Sequence, residues 1–371
     1  MIKSLLLVAL IIASSQPSPI SPVGSMVAFR LDDIQDFWIS GIQSEIIKYF
    51  VDNEIPLTVG VIWYAFGKDD KLVETVRKGV REGIIEVALH DVPGYPSMNQ
   101  TEQLQRLRKG KEFLENLLGT SVKTFIPPMN RFDDSTIKAC VEAGIEYISS
   151  SLDFDKPYFE TVPKRYPSTV ETENLIAVYP ARYVWIPRQY ERILGSLQDS
   201  LSKYGYALVT VHPQQFSKVV ETEMMDQIEE EYLSDFLRLV GWVVQNQIVV
   251  QLRQLDESRY VSLRVAAASS LSEIANRSRV VIAWQRGGEQ MNFTRKLDCV
   301  ICVPTGAVTR LSAVPTLQYT DRKGERFLIF LETSELVLSG QFLNFTAKQS
   351  LLVSVSAKKQ YYLSVISEHG N

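Results

Sequence analysis

Two neighbouring carboxylates end a short apolar segment near the start of the chain, where Asp32 and Asp33 follow the run VAFRL. The chain has three histidines, and two of them, His90 and His212, also follow short apolar runs directly. Carboxylates and histidines are the side chains that most often bind divalent metals and transfer protons. Taken singly, an Asp-Asp pair often caps a helix, and a lone histidine is often structural. Their recurrence after several apolar runs therefore predicts one shared site.

The segments that position these residues alternate between two patterns from residue 26 to 255. Short apolar runs such as MVAFRL, LTVGVIW, IIEVALH and YALVTVH are separated by amphipathic stretches with helical spacing. Apolar strands that alternate with helices predict a parallel sheet buried on both faces. At least six such units favour an α/β fold of the distorted (β/α) barrel type, in which the carboxyl ends of the strands surround one pocket.

Some helix limits follow from capping residues in the sequence. Thr101 and Gly119 are predicted to begin and end one amphipathic helix. The stretch from Met225 to Gln245 predicts another helix.

The pattern changes after residue 258. Short β-rich runs, among them YVSLRVAAAS, SRVVIAWQ, RFLIFLE and YYLSVIS, are separated by turn-like segments without a convincing helix. They predict a smaller all-β, sandwich-like domain of about 110 residues. Cys299 and Cys302 lie in this region, and we interpret them either as small core residues or as one tight local disulfide.

The first 25 residues have the pattern of an export signal and a linker. Lys3 precedes the apolar run LLLVALII, which is followed by the small residues ASS. The run is shorter than the roughly 20 residues of a membrane span, so it predicts a cleaved signal and no stable membrane span afterwards. The predicted division is a signal peptide at 1–16, a linker at 17–25, a barrel at 26–258 and a β-sandwich at 259–371.

Charge and sequons bear on the partners and the location of the protein. The net charge is −4, so no basic surface suggests a nucleic-acid partner. Together with the signal, the glycosylation sequons predict a secreted or cell-surface glycoprotein. These sequons begin at Asn99, Asn276, Asn292 and Asn344.

The motifs resemble those of the NodB-homology polysaccharide deacetylases, carbohydrate esterase family 4. FRLDDIQ corresponds to the family motif Thr-Phe-Asp-Asp-Gly, and VTVH corresponds to Leu-x-Leu-His. HDVPG corresponds to His-Ser/Thr-x-x-His, but Gly94 stands where the family has its second metal-binding histidine. IPPMNRF corresponds loosely to Arg-x-Pro-Tyr. The resemblance covers the barrel region and makes the chain a divergent member.

The resemblance implies a hydrolase that removes acetyl groups from the N-acetylated sugars of a polysaccharide or oligosaccharide. It implies that Asp32 is the catalytic base, that His212 is the general acid, and that Asp33 and His90 bind a divalent metal, with zinc expected. A catalytic zinc normally has three protein ligands, so the predicted site is incomplete. Asp91 is the first candidate for a substitute ligand, although strand alternation turns it away from His90.

Several further residues near the motifs are candidates for substrate binding. The loop after the fourth strand and two aromatic residues are the main ones: Pro128, Asn130, Arg131, Tyr95 and Trp38. Other aromatic residues that suit stacking on sugars are Trp63, Tyr64 and Trp185.

Two other functions remain open from the sequence. A relative that has lost turnover would bind glycan through the same cleft. A structural or adhesive surface protein would act through the β-sandwich. Because only the deacetylase needs a metal, metal content separates it from the other two.

Overall fold

The computed structural model describes residues 25–150 and 183–255, together with isolated strands between 164 and 178 and between 260 and 355. The predicted signal peptide, most of the predicted linker, the predicted strand YYLSVIS and Asn276 lie outside the described residues. In the part of the chain that is described, no helix has the length and hydropathy of a membrane span.

The described residues from 26 to 250 form strands and helices in alternation, as predicted. The strands are β1 (Met26–Ile34), β2 (Leu57–Ile62), β3 (Ile85–His90), β4 (Thr124–Ile126), β5 (Tyr147–Ile148), β6 (Lys164–Pro167), β7 (Leu175–Val178), β8 (Tyr183–Val184), β9 (Tyr206–Val211), β10 (Ser217–Val220), β11 (Glu223–Ile228) and β12 (Ile248–Val250). The helices are α1 (Ser40–Asp52), α2 (Asp70–Arg81), α3 (Gln100–Leu118), α4 (Asp134–Glu142), α5 (Tyr190–Tyr204) and α6 (Glu230–Asn246).

Ten of these strands form one curled sheet in the order β6-β7-β5-β4-β3-β2-β1-β9-β8, with β12 paired to the start of β1. All neighbours are parallel except β6 and β7. The barrel prediction is therefore confirmed as a distorted (β/α) barrel. Because the strands are parallel, their carboxyl ends meet at one edge.

Alternate residues of β1 belong to two different cores. Val27, Phe29 and Leu31 pack in the layer between the sheet and the helices. Met26 and Ala28 face the barrel interior, where an apolar cluster with Leu208 and Leu252 fills the amino-terminal end. On the same interior face, the strand continues with Arg30 and Asp32, both buried. This period of two places polar groups at the carboxyl end of the barrel.

The helix limits largely follow capping residues. Gly119 ends α3 with φ +67, a left-handed conformation that favours glycine. The N-cap of α3 is Asn99 rather than the predicted Thr101, since the Asn99 side chain accepts from Glu102 N and Glu102 returns a bond to Asn99 N. This reciprocal pair provides hydrogen-bond acceptors for the amides of both Asn99 and Glu102. A helix capped at Thr101 would lack these two bonds.

The helix predicted from Met225 begins later, at Glu230. Residues before it form an antiparallel hairpin of β10 and β11 instead. Asp226 anchors this hairpin, because its carboxylate accepts from the amides of Gly41 and Ile42 at the start of α1, both at 3.0 Å. An isolated two-stranded hairpin is marginal in water, so this anchor helps explain why the segment is a strand.

The C-terminal part consists of small antiparallel sheets, in agreement with the predicted sandwich-like domain. Its strands are β13 (Tyr260–Ala266), β14 (Arg279–Arg286), β15 (Glu289–Lys296), β16 (Cys299–Pro304), β17 (Val308–Val314), β18 (Leu317–Thr320), β19 (Arg326–Ile329), β20 (Ser334–Ser339), β21 (Phe342–Thr346) and β22 (Leu352–Val355). Cys299 and Cys302 lie three residues apart in β16.

This domain contacts the barrel at the end of the sheet opposite the carboxyl ends of the strands. Arg295 donates to the carbonyls of Glu82 and Gly83, at 2.8 and 3.0 Å, just before β3 begins. Glu54 accepts from Lys296 N at 2.8 Å and pairs with Arg279 at 2.9 Å. The contacts of the β-rich domain therefore lie away from Asp32 and the other strand-end residues.

Candidate active site

A local irregularity in β1 brings both adjacent carboxylates to the carboxyl end of the barrel. The register between β1 and β2 shifts between Leu31 and Ile34, and Asp33 has φ +61. In a regular strand, neighbouring side chains face opposite sides of the sheet. A bulge with one residue in the left-handed region re-aims a side chain, and aspartate tolerates that conformation better than most residues. Both carboxylates therefore lie beside histidines at this edge, Asp33 beside His90 and Asp32 beside His212.

Asp33 and His90 form a direct pair at the ends of β1 and β3. The Nε2 atom of His90 lies 3.2 Å from Oδ1 of Asp33. The other ring nitrogen, Nδ1, donates to the carbonyl of Ile126 on β4 at 2.7 Å. Because Nδ1 carries a proton for that bond, the imidazole is held with Nε2 directed at Asp33.

The protonation of this pair follows from its surroundings. Burial alone disfavours the charged form of His90, but the hydrogen bond to Asp33 and the negative charge of Asp32 raise its pKa above the ordinary value. Burial also opposes ionisation of Asp33, yet hydrogen bonds and the charges of His90 and His212 hold its pKa below the ordinary value. Without a metal, each partner therefore favours the charged form of the other, the imidazolium of His90 and the carboxylate of Asp33.

Asp32 lies deeper and is held by an arginine of the same strand. Arg30 donates from Nη2 to Oδ2 of Asp32 at 2.7 Å, and from Nη1 to Ser149 Oγ at 2.7 Å. Arg30 and Asp32 are only 1% and 4% exposed. Among the described residues, none donates to the other carboxylate oxygen of Asp32, Oδ1. Gly60 on β2 lies close to Oδ1 of Asp32, since a β-carbon at position 60 would be 3.2 Å from that oxygen.

His212 faces Asp32 from the end of β9. Its Nε2 atom lies 3.8 Å from Oδ2 of Asp32, and its side chain is 24% exposed. Two residues further, Gln214 hydrogen bonds to Asp33. The four predicted residues Asp32, Asp33, His90 and His212 thus meet at the carboxyl end of the barrel, in two contacting pairs. Their assignment as base, acid and metal ligands remains a prediction.

The Asp33–His90 pair fits a divalent ion in geometry but not in ligand number. Two ligands at 2.0–2.1 Å from a tetrahedral zinc are about 3.3 Å apart, close to the observed 3.2 Å. The Nδ1–H bond to the Ile126 carbonyl is also the orientation that metal-binding histidines have. Within the described residues, however, no group of three metal-binding side chains exists. Asp33 and His90 would therefore hold an ion with one protein ligand fewer than usual.

The predicted substitute ligand Asp91 is engaged elsewhere, which corrects that prediction. Its carboxylate accepts from Nε of Arg106 at 2.9 Å, from a second nitrogen of Arg106 and from the hydroxyl of Tyr95 at 2.8 Å. It also accepts from Val92 N at 2.8 Å. With 2% exposure and both oxygens bonded, Asp91 stabilises the loop that follows β3.

Gly94 stands in a conformation that a histidine rarely adopts. Its φ is +101, and it precedes a short helical turn that begins at Tyr95. A β-carbon would have room, since Ser97 Oγ at 3.4 Å is its nearest neighbour. Backbone conformation, and not space, therefore accounts for glycine at this position.

The structure corrects several predicted substrate contacts. Tyr95 and Trp185 are 0% exposed, and Pro128 is buried. Trp38 is partly buried against the main core, as is Trp63. Arg131 is exposed, and Asn130 is partly buried, with its carbonyl accepting from Ser150 Oγ at 2.7 Å. Of the predicted aromatic residues, Tyr64 remains open to solvent, with 51% exposure.

Two residues of the site were not predicted from the sequence, although each has a signal there. Arg30 is a charged residue inside an otherwise apolar strand, two positions before Asp32 and so on the same face. Gly60 interrupts the β-branched run of β2, which often indicates a close approach of another group. Neither signal alone distinguishes a functional position from a structural one.

Comparison with known families matches residues 21–148 to the polysaccharide deacetylase family. Over these residues the chain is similar to that family. The matched part contains Asp32, Asp33 and His90, whereas His212 lies beyond it. A comparison with curated protein sequences gives no match.

Solved structures with a similar chain course include members of carbohydrate esterase family 4. An assigned polysaccharide deacetylase from Mycobacterium smegmatis is 16% identical, with 64% of this chain and 94% of that chain covered and a TM-score of 0.45. A CE4 family pseudoenzyme from Bacillus anthracis is 17% identical, with coverages of 64% and 67% and a TM-score of 0.39. An acetyl xylan esterase from Clostridium thermocellum, in complex with a cobalt ion, is 13% identical, with coverages of 62% and 89% and a TM-score of 0.38. The similarity to the polysaccharide deacetylase family rests on the sequence match over residues 21–148.

Proposed function

We propose that the (β/α) barrel removes acetyl groups from N-acetylated sugars of a polysaccharide, with N-acetylglucosamine polymers as the substrate class. The observation that carries this proposal is the meeting of the Asp32–His212 and Asp33–His90 pairs at one end of the barrel. Hydrolysis of an acetamide needs a base for the attacking water and an acid for the departing amine. The two pairs contain side chains of both kinds.

Asp32 is suited to take the proton from water. Its Oδ2 is occupied by Arg30, so the charge and the orientation of the carboxylate are held while Oδ1 has no partner among the described residues. A carboxylate fixed in this way accepts a proton without having to reorient.

His212 is suited to protonate the leaving amine. It lies across from Asp32 Oδ2 and is more exposed than the carboxylate, so it borders the side from which a sugar enters. Because its side chain is partly exposed, it can exchange a proton with solvent between turnovers.

A divalent ion held by Asp33 and His90, when bound, would polarise the acetyl carbonyl and lower the pKa of a bound water. The direction of Nε2 toward Asp33 prepares both ligands for this role, because the Ile126 carbonyl fixes the imidazole.

Acetate release from chitin oligomers tests the proposal, with and without added zinc. The substitution Asp32→Asn is expected to abolish acetate release and to leave zinc binding, measured by calorimetry, largely intact. His90→Gln is the matched change on the other pair and is expected to weaken zinc binding. Zinc-supplemented wild-type protein that releases no acetate from any oligomer would contradict the proposal.

A second candidate function is glycan binding without turnover. It is favoured by the two-ligand site, since loss of a metal ligand weakens metal binding strongly. In that case wild-type protein would bind chitin oligomers with zinc removed, and acetate release would be absent. A purely structural surface protein would show neither.

We also propose that the chain acts outside the cytosol. The apolar run after Lys3 and the sequons support this, and two sequon asparagines, Asn99 and Asn292, are exposed. N-terminal sequencing of the protein from its native source is expected to find a start near residues 15 to 17. Retention of Met1 on cytosolic protein would refute the secretory signal.

A further inference from the structure

The loop that follows Asp33 has a strained backbone and an exposed apex. Phe37 has φ +56 and Ile39 has φ +42, in the region that is unfavourable for residues with a side chain. Ile39 is buried, whereas Phe37 is 72% exposed. A bulky aromatic residue that is both strained and exposed gains nothing from core packing, and strain of this kind concentrates at functional sites.

Interactions on both sides of Phe37 hold this conformation. The Gln43 side chain is fully buried. Its Oε1 accepts from the backbone amide of Gln35, and its Nε2 donates to the carbonyl of Gln35, both at 3.0 Å. Its Nε2 also donates to the carbonyl of Trp38. The backbone amide of Asp36 donates to the carbonyl of Ala65, in the loop after β2, at 2.8 Å. The apex is therefore a fixed feature of the loop.

Two more exposed side chains follow strands at the same edge. Tyr64, the second residue after β2, is 51% exposed, and burial together with the negative charges of Asp91 and Asp33 raises its pKa. Met129, after β4, is 57% exposed and has φ +54. Met129 therefore repeats the combination of strain and exposure seen at Phe37.

The sheet order sets the spacing of these residues. β4, β3, β2 and β1 are neighbours in that order, so the ends of β4 and β1 are about 14 Å apart at 4.7–4.9 Å per strand. Asp33 and His90 end β1 and β3 within this span. Phe37, Tyr64 and Met129 thus follow three strands that include or neighbour those of Asp33 and His90, over a length that suits a short oligosaccharide.

We propose that Phe37, Tyr64 and Met129 are the sugar-contacting rim of the cleft and determine its preference for oligomers over single sugars. This inference rests on the proposed function for the class of ligand. Pyranose rings have apolar C–H faces and polar edges, so separate apolar side chains contact the faces while charged groups between them meet the polar acetamide. One continuous apolar patch would instead be typical of a protein partner.

Binding of a chitin tetramer, measured by calorimetry on the full chain in the absence of zinc, tests this inference without requiring turnover. Phe37→Asn and Met129→Asn are suitable variants, because asparagine tolerates the left-handed region and both should fold. Val244→Asn on α6 is the matched control, since Val244 is 47% exposed on an outer helix. We expect at least a tenfold rise in Kd for the tetramer in each rim variant, little change for monomeric N-acetylglucosamine, and no change in the control.

The outcomes separate this inference from the proposed function. Rim variants that bind the tetramer as the wild type does would overturn the inference, even if acetate is released normally. Tetramer binding that depends on Phe37 without acetate release would support the rim and contradict the deacetylase activity. Wild-type protein that binds no tetramer would also overturn the inference. Self-association that Phe37→Asn abolishes would overturn it as well, because the rim would then be an interface between copies of the chain.

Discussion

Removal of the arginine that holds Asp32 is expected to be strongly destabilising. Arg30 and Asp32 form an ion pair at 2.7 Å with side chains only 1% and 5% exposed. Arg30→Met keeps most of the aliphatic volume but leaves a buried carboxylate without its cation. Breaking one side of a buried pair costs about 3–5 kcal/mol, because the remaining charge is uncompensated. At a slope near 3 kcal/mol/M, this lowers the urea midpoint by about 1–2 M.

The double variant Arg30→Met/Asp32→Asn is the control for this reasoning. Without a buried charge, it should unfold at a higher urea concentration than Arg30→Met alone, followed by circular dichroism in metal-free buffer. Arg30→Lys should fall between the wild type and Arg30→Met, since it keeps the charge but loses the forked contact to Ser149 and Asp32. A loss below 1 kcal/mol for Arg30→Met, or a double variant no more stable than it, would refute the argument.

Three further predictions concern the metal pair, Gly94 and the contact between domains. The pKa of Asp33 is lowered in the fold, so its contribution to the free energy of unfolding is present above its unfolded pKa and is lost as pH falls. The pKa of His90 is raised, so its contribution to the free energy of unfolding is complete below about pH 6.5 and is lost as pH rises. Urea unfolding of metal-free protein should therefore show that the Asp33–His90 pair stabilises the fold between about pH 4 and 6.5, and that His90→Gln removes this stabilisation. The same dependence of unfolding free energy on pH in His90→Gln and wild type would contradict this prediction. Gly94→His and Gly94→Ala should both lose about 1–2 kcal/mol of unfolding free energy at φ +101, and only Gly94→His should gain zinc affinity by calorimetry. Arg295→Met should lower the free energy of unfolding by about 1.5–3 kcal/mol, while a fragment of residues 26–258 still folds alone by circular dichroism; an insoluble fragment would make the contact obligatory.

Much of the barrel was predictable because its pattern is local. Short apolar runs alternating with amphipathic segments gave the parallel sheet, and parallel strands bring their carboxyl ends together whatever the details of packing. The meeting of Asp32, His90 and His212 follows from that rule. The hairpin of β10 and β11 was missed because its strand state depends on Asp226 contacting α1, a residue distant in sequence.

The sequence by itself determined the fold class and the places of the strand-end residues, since both depend on periodicity along the chain. Only the tertiary structure decided what each side chain does there. Asp91 is bonded to Arg106, fifteen positions away on the next helix, and therefore is not free to replace the missing ligand. Trp38, the aromatic residue predicted to contact substrate, packs against the core, whereas its neighbour Phe37, in a left-handed conformation, is exposed. Such outcomes depend on contacts between elements, which no pattern within one segment contains.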